Sequence, residues 1–174
     1  MLRKVSFLIL PFLLFGCNAK YTQKNNPQSA TLKIVNKSHT DVTFITYADG
    51  EVCKGFEDVE VPMEYRKSQM FDALKPNGGF ELKINPIKRF SLKATADGSV
   101  YPAISVCTII ASFYPKEKSS YRYTFSWAKF ARVCSIDITE IDYDSSGALL
   151  ENKLDDVIVR EQLAPVWNDG AGCK

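Results

Sequence analysis

Hydrophobic and polar positions alternate most strictly where Tyr121, Tyr123, Phe125 and Trp127 interleave with Arg122, Thr124, Ser126 and Ala128. A period of two marks a strand that buries one face. Shorter runs of the same kind predict strands at 31–35, 41–47, 57–61, 80–84, 89–95 and about 133–143. Turn residues close them: Asn36-Lys37-Ser38, Ala48-Asp49-Gly50, Asn77-Gly78-Gly79, Ala96-Asp97-Gly98 and Asp144-Ser145-Ser146-Gly147. Gly50 is expected to supply the positive φ of its turn. The run from Tyr101 to Tyr114 is apolar on both faces, which suits a central strand.

Helical spacing is rarer. Met70, Phe71 and Leu74 share one helical face between Pro62 and Pro76, which predicts a short helix at 64–74. The tail leaves two readings open. Leu154, Val157 and Ile158 fit a helix stopped before Pro165, and Val157-Ile158-Val159 fits a buried edge strand. Short strands between frequent turns predict a mainly β domain over 31–174. The expected form is a single antiparallel β-sandwich or barrel-like fold with one or two short helices. No internal repeat and no boundary is found after residue 30.

The N-terminus has a different pattern. Arg3 and Lys4 precede an uncharged apolar run from Val5 to Phe15, and Leu14-Phe15-Gly16-Cys17 closes it. Eleven apolar residues at ~1.5 Å each span about half of a ~30 Å hydrocarbon core, so the segment is too short for a durable membrane helix. With its basic start and small residue at Gly16 it fits a secretory signal peptide over 1–16. Its ending resembles the lipobox of bacterial lipoprotein precursors. Leu14 stands three before the cysteine and Gly16 one before it, as that pattern asks, while Phe15 is bulkier than the usual residue there. The resemblance covers residues 1–17 only; 31–174 resemble no family. It implies cleavage before Cys17 and acylation of its thiol and amine, a membrane anchor carrying more than one chain. Asn18, in place of the aspartate that retains such proteins at the inner membrane, implies outer-membrane sorting, on its periplasmic or cell-surface face. The competing reading is ordinary cleavage after Ala19, which discards Cys17 and releases a soluble secreted protein. Residues 17–30 are polar after Cys17 and read as the lipidated cysteine with a flexible tether.

Charge changes the picture only by exclusion. The precursor has 22 basic and 20 acidic residues; two of the bases, Arg3 and Lys4, lie in the leader, so the mature chain has 20 of each. Nucleic acid binding calls for a net basic face, so no nucleic-acid partner is expected. Apolar residues make up 45% of the chain, enough for a packed core. Once Cys17 is set apart, Cys53, Cys107, Cys134 and Cys173 remain, and an even number in an exported chain reads as two disulfides. Cys107 and Cys134 lie in neighbouring apolar strands and are expected to pair, which leaves Cys53 with Cys173. No C-x-x-C pair occurs and His39 is the single histidine, which argues against zinc.

Candidates for chemistry are few. Tyr121, Tyr123 and Trp127, with Phe125 between them, would make a sugar-stacking platform if exposed, and a core face if buried. Asp142-x-Asp144-x-Ser146-Gly147 opens like a calcium loop, yet Lys153 stands where the bidentate glutamate belongs, so a hairpin turn is the favoured reading. His39 with Asp41 lacks a nucleophile to complete a triad. No catalytic residue, metal or cofactor other than the Cys17 lipid is expected. The function expected is that of a non-enzymatic, membrane-anchored envelope lipoprotein that binds a protein partner or envelope component. By analogy with its cellular address, its role would be of secretion-apparatus, assembly, inhibitor or immunity type. The alternative is a protein that binds or processes glycan or peptidoglycan.

Overall fold

The computed structural model describes residues 19–23, 25–68, 71–99, 105–128, 133–163 and 171–174. The leader, Cys17, Lys24 and the Tyr101–Ile104 part of the expected central strand lie outside them. In chain order the strands are β1 (Ala19–Lys20), β2 (Ala30–Asn36), β3 (Val42–Asp49), β4 (Lys54–Asp58), β5 (Arg66–Ser68), β6 (Phe71–Leu74) and β7 (Gly79–Ile84). They continue with β8 (Phe90–Asp97), β9 (Val106–Phe113), β10 (Ser120–Ser126), β11 (Ser135–Tyr143), β12 (Leu149–Lys153) and β13 (Ile158–Arg160). Two sheets form a sandwich-like arrangement, not a closed barrel. One sheet runs β1-β4-β3-β8-β9-β13, with the β5–β6 hairpin hung on β3, and the other runs β12-β11-β10-β2-β7. Pairing is antiparallel except at two places, β1 beside β4 and β2 beside β10.

The strands have a common direction of reference. Turn 50–53, loop 85–89, loop 114–119 and hairpin 144–148 gather at one end of the sandwich, because β3, β7, β9 and β11 all finish there. Loops 37–41 and 75–78 and the starts of β9 and β11 gather at the other.

Alternation along β2, β7 and β10 puts Leu32, Ile34, Leu82, Tyr121, Tyr123 and Phe125 between the sheets, each almost fully buried. Phe44, Leu92 and Phe113 answer from the facing sheet, and the rings meet edge to face, as for Phe113 and Tyr121 at 5.0 Å between centroids. Tyr121 uses its hydroxyl, which accepts a hydrogen bond from the Lys116 amide at 2.8 Å. The Tyr123 hydroxyl is fully buried and finds no hydrogen-bond partner among the described residues. A buried hydroxyl left unpaired costs free energy that a phenyl ring does not. Tyr123→Phe is therefore expected to raise stability by about 1 kcal/mol, read as a higher urea midpoint with an unchanged slope. A lower midpoint would mean that the hydroxyl is hydrogen-bonded in solution.

Several expectations need correction. Residues 64–68 and 71–74 are not a helix: a 3-10 turn at Met63–Tyr65 is followed by β5 and β6, and Met70 lies outside the described residues. Leu74 is buried as the register partner of Val42 in β3, so edge pairing outweighed helical spacing. Among the described residues this 3-10 turn is the one helical element. Gly50 does not take a positive φ; Cys53, at 52°, turns the chain instead. Gly50 is required for close approach, because a Cβ there would stand 2.2 Å from the Arg89 carbonyl oxygen. In the tail the strand reading holds, yet Ile158 and Val159 of β13 are exposed rather than buried, since β13 lies at the sheet edge. Ala19–Tyr21 is no free tether: β1 adds to the open edge of β4, and the Tyr21 amide donates to the Asp58 carbonyl at 2.9 Å.

Candidate functional site

Both expected disulfides are present. Cys107, at the start of β9 in one sheet, is bonded to Cys134, just before β11 in the other, and so ties the two layers together. Cys53, in the turn after β3, is bonded to Cys173. Around it Tyr47 and Ile110 are buried on the outer face of the sheet, forming a second small core with the two sulfurs. Gly172 allows this closeness, since a Cβ would meet the Cys53 carbonyl oxygen at 2.6 Å.

The residues singled out for chemistry are dispersed and committed to structure. Tyr121, Tyr123 and Trp127 are 1%, 0% and 4% exposed, so the sugar-stacking platform is removed and the row is core. Asp142 and Asp144 lie in the β11–β12 hairpin. One Asp144 carboxylate oxygen accepts from the Ser146 hydroxyl, the Ser146 amide and the Ala148 amide, which holds its carboxyl below the usual carboxylate range. The loop at Asp142, Asp144 and Ser146 is a carboxylate-capped hairpin turn, the reading the sequence favoured over a calcium loop. Among the described residues no three His, Cys, Asp or Glu side chains come together as a metal-holding group. His39 packs on the Trp127 indole at 5.2 Å and its Nδ1 lies 2.9 Å from the Trp127 carbonyl oxygen, the geometry of an N–H donating to it. It closes one end of the core.

The feature that sequence reasoning missed is the N-terminal strap. Tyr21 crosses the open side of the sandwich between β4 and β7. Its hydroxyl donates to the Lys83 carbonyl at 2.7 Å and its ring meets Phe90 edge to face. Burial, with Glu57 nearby, raises its pKa. Lys20 extends the strap with an ion pair to Glu60. Clefts flank it on both sides. One, of about 270 Å³, is lined by Tyr21, Tyr47, Glu57, Asn85, Lys88 and Arg89; the other, of about 490 Å³, by Tyr21, Glu60, Met63 and Arg66. The only sequence signal for the strap was a tyrosine standing alone in a polar run.

Next to the first cleft Glu51, Arg89 and Tyr114 form a charged knot. The Tyr114 hydroxyl donates to Glu51, which also accepts from Arg89 Nε at 2.9 Å, while the Arg89 guanidinium stacks 4.3 Å from the Tyr114 ring centroid. These bonds, that from Tyr114 first, hold the Glu51 carboxyl below its ordinary range. Arg160 of β13 donates to the Glu51 backbone carbonyl, so the knot joins the β3 turn to the far edge of the sheet. A third depression, about 460 Å³ on the outer face of the other sheet, is floored by Val35 and Thr124 and rimmed by Lys33, Lys37 and Arg122. Glu151 already pairs with that arginine.

No family model matches this chain, and neither a curated protein nor a solved structure matches it significantly.

Proposed function

We propose that this chain is the precursor of a lipid-anchored envelope protein, held at the outer membrane through Cys17, whose disulfide-stapled β-domain binds a protein partner or another envelope component without catalysing a reaction. The observation that carries this reading is the pairing of four buried cysteines in the domain with a fifth, Cys17, at the end of a lipobox-like leader. Disulfides of this kind persist in oxidising compartments such as the periplasm. The polar side chains nearest to a catalytic set support it too: His39, Asp144 and Glu51 each hold a carbonyl, a turn or an arginine in place.

The test is intact mass and membrane fractionation of the protein from its host, beside a Cys17→Ala variant. The expected wild-type mass is that of a chain beginning at an acylated Cys17, in the outer-membrane fraction, with the variant lost from that fraction. A soluble mature chain beginning at Lys20 would overturn the anchor and favour a secreted protein instead.

A further inference from the structure

The strap gives direction to the anchor. β1 runs parallel to β4, with Ala19 opposite Glu57, three residues along from Lys54, so the direction of β1 traced backwards leads toward the end where β4 starts. That is the end of the sandwich that carries turn 50–53, loop 85–89, loop 114–119 and hairpin 144–148. Only Asn18 separates Cys17 from Ala19. At ~3.3–3.6 Å per residue the Cys17 Cα lies within roughly 7 Å of that of Ala19, which leaves almost no slack between acyl chains and sheet.

The same end is where apolar side chains are left uncovered. Ile87, 79% exposed, stands on loop 85–89 and Phe56 near the start of β4. Tyr114, stacked by Arg89 on one face yet half exposed, follows β9, Tyr143 and Leu149 face each other across the hairpin, and Ile158 begins β13 beside Ser112. All are exposed. Away from this end Val133, Val106 and, before β5, Met63 are exposed. Scattered single hydrophobics need no explanation, but a set gathered at one end does. Isoleucine, leucine and phenylalanine with tyrosines among them is the composition of surfaces that sit at the boundary of headgroups and acyl chains. Charge is not the driver, since Asp49, Glu117, Asp142 and Asp144 share this end with Lys54, Lys88, Lys116 and Lys118.

We propose that this loop end is seated on the surface of the bilayer that holds the acyl chains of Cys17, so that the domain has one fixed orientation and presents the end carrying loops 37–41 and 75–78 to its partner. The occupant is the lipid surface because the leash is one residue long and leads to this end. The proposal rests on acylation of Cys17.

The experiment uses the acylated full-length protein, purified from its host and reconstituted in phosphatidylethanolamine–phosphatidylglycerol vesicles with or without bromine on the acyl chains near the headgroup. Ile87→Trp and Val133→Trp, both at exposed positions, add one indole at each end. The added emission of Ile87→Trp is expected to be largely lost in brominated vesicles and that of Val133→Trp retained, with little change at high salt. Equal quenching of the two, or none, in protein that still floats with the vesicles would overturn the seating and leave the anchor standing. Failure to float would remove the anchor and the seating together. An Ile87→Trp emission insensitive to bromine, in protein that crosslinks as a pair on the vesicles, would assign this end to a second copy and overturn the proposal.

Discussion

Replacing Cys53 and Cys173 together by serine is expected to be among the most destabilising changes this domain can take while keeping its core sequence. The bridge closes a separation of 120 residues, and loop-closure reasoning puts its effect at about 5 kcal/mol, less any strain it carries in the folded state. The local geometry adds to this. Beyond β13 the chain runs back along its own C-terminus, with reciprocal backbone hydrogen bonds between Glu161 and Lys174 at 3.1 Å and one from Leu163 to Gly172 at 2.9 Å. Gly172 in turn donates to the Val52 carbonyl at 2.8 Å. Without the sulfur bridge these backbone bonds and the Lys174–Glu161 ion pair are what hold the described part of the tail, and Tyr47 and Ile110 lose the cover of the two sulfurs. A fall in melting temperature of ~10–20 °C is expected by differential scanning calorimetry, with faster amide exchange over 158–163. The phenol of Tyr47, pushed up to about 12 by burial, should titrate closer to its ordinary value. A variant with unchanged melting temperature and unchanged exchange would show that the tail is held by something other than the disulfide.

The second large effect is expected at Asn36, a fully buried polar residue at the end of β2. Its side-chain amide donates to the Thr40 carbonyl at 2.8 Å and to the Leu74 carbonyl at 2.9 Å, and its oxygen accepts from both the amide and the hydroxyl of Ser38. Asn36 belongs to one sheet and Leu74, through β6, to the other, so a single amide clamps the two layers and the 37–41 loop together. Asn36→Ala leaves buried carbonyls without donors, and a loss of about 3 kcal/mol is expected in urea unfolding. Asn36→Asp is the sharper test, because it keeps the shape and sets a carboxylate against two carbonyl oxygens. The folded state then favours the protonated acid, so its pKa is raised above the unfolded value. Stability is therefore best at a pH below the unfolded carboxylate pKa and is lost as pH rises through that value toward the folded one. A variant equally stable at low and neutral pH would mean that the loop had moved to release the side chain.

What was legible in the chain and what was not divides along the range of the interactions. Alternation is a local property, and Tyr121–Trp127, Leu32–Ile34 and Phe80–Ile84 each announced a strand with one buried face. Period two, turn residues and a high apolar share left little beside a mainly β fold. The cysteine pairing came out as expected but not for the expected reason: Cys107 and Cys134 are not on neighbouring strands joined by a turn, they face each other from different sheets with β10 between them in the chain, and Cys53 was left for Cys173. The segment 64–74 was misread because helical spacing over a few residues is a weak signal, whereas the unpaired edge of β3 that Leu74 joins lies outside any local window. Gly50 was read for its dihedral freedom when its reason is the Arg89 carbonyl 39 residues further along the chain. Asn36 looked like any turn asparagine, and while the Thr40 carbonyl is only four residues on, its second acceptor, the Leu74 carbonyl 38 residues away, was hidden for the same cause.

By itself the sequence determined the mainly β class, the strongest alternating strands and the presence of two disulfides in the domain, since each depends on residue type and spacing, whereas which cysteines pair depends on the fold. Only the tertiary structure decided that the sheets stack as a sandwich with two parallel contacts among the described residues, that Tyr21 latches their open side, and that most of the uncovered apolar residues share the end toward which β1 traces back. Those facts depend on which distant edges meet, and the free energy of such meetings is a property of assembled surfaces rather than of any stretch of chain.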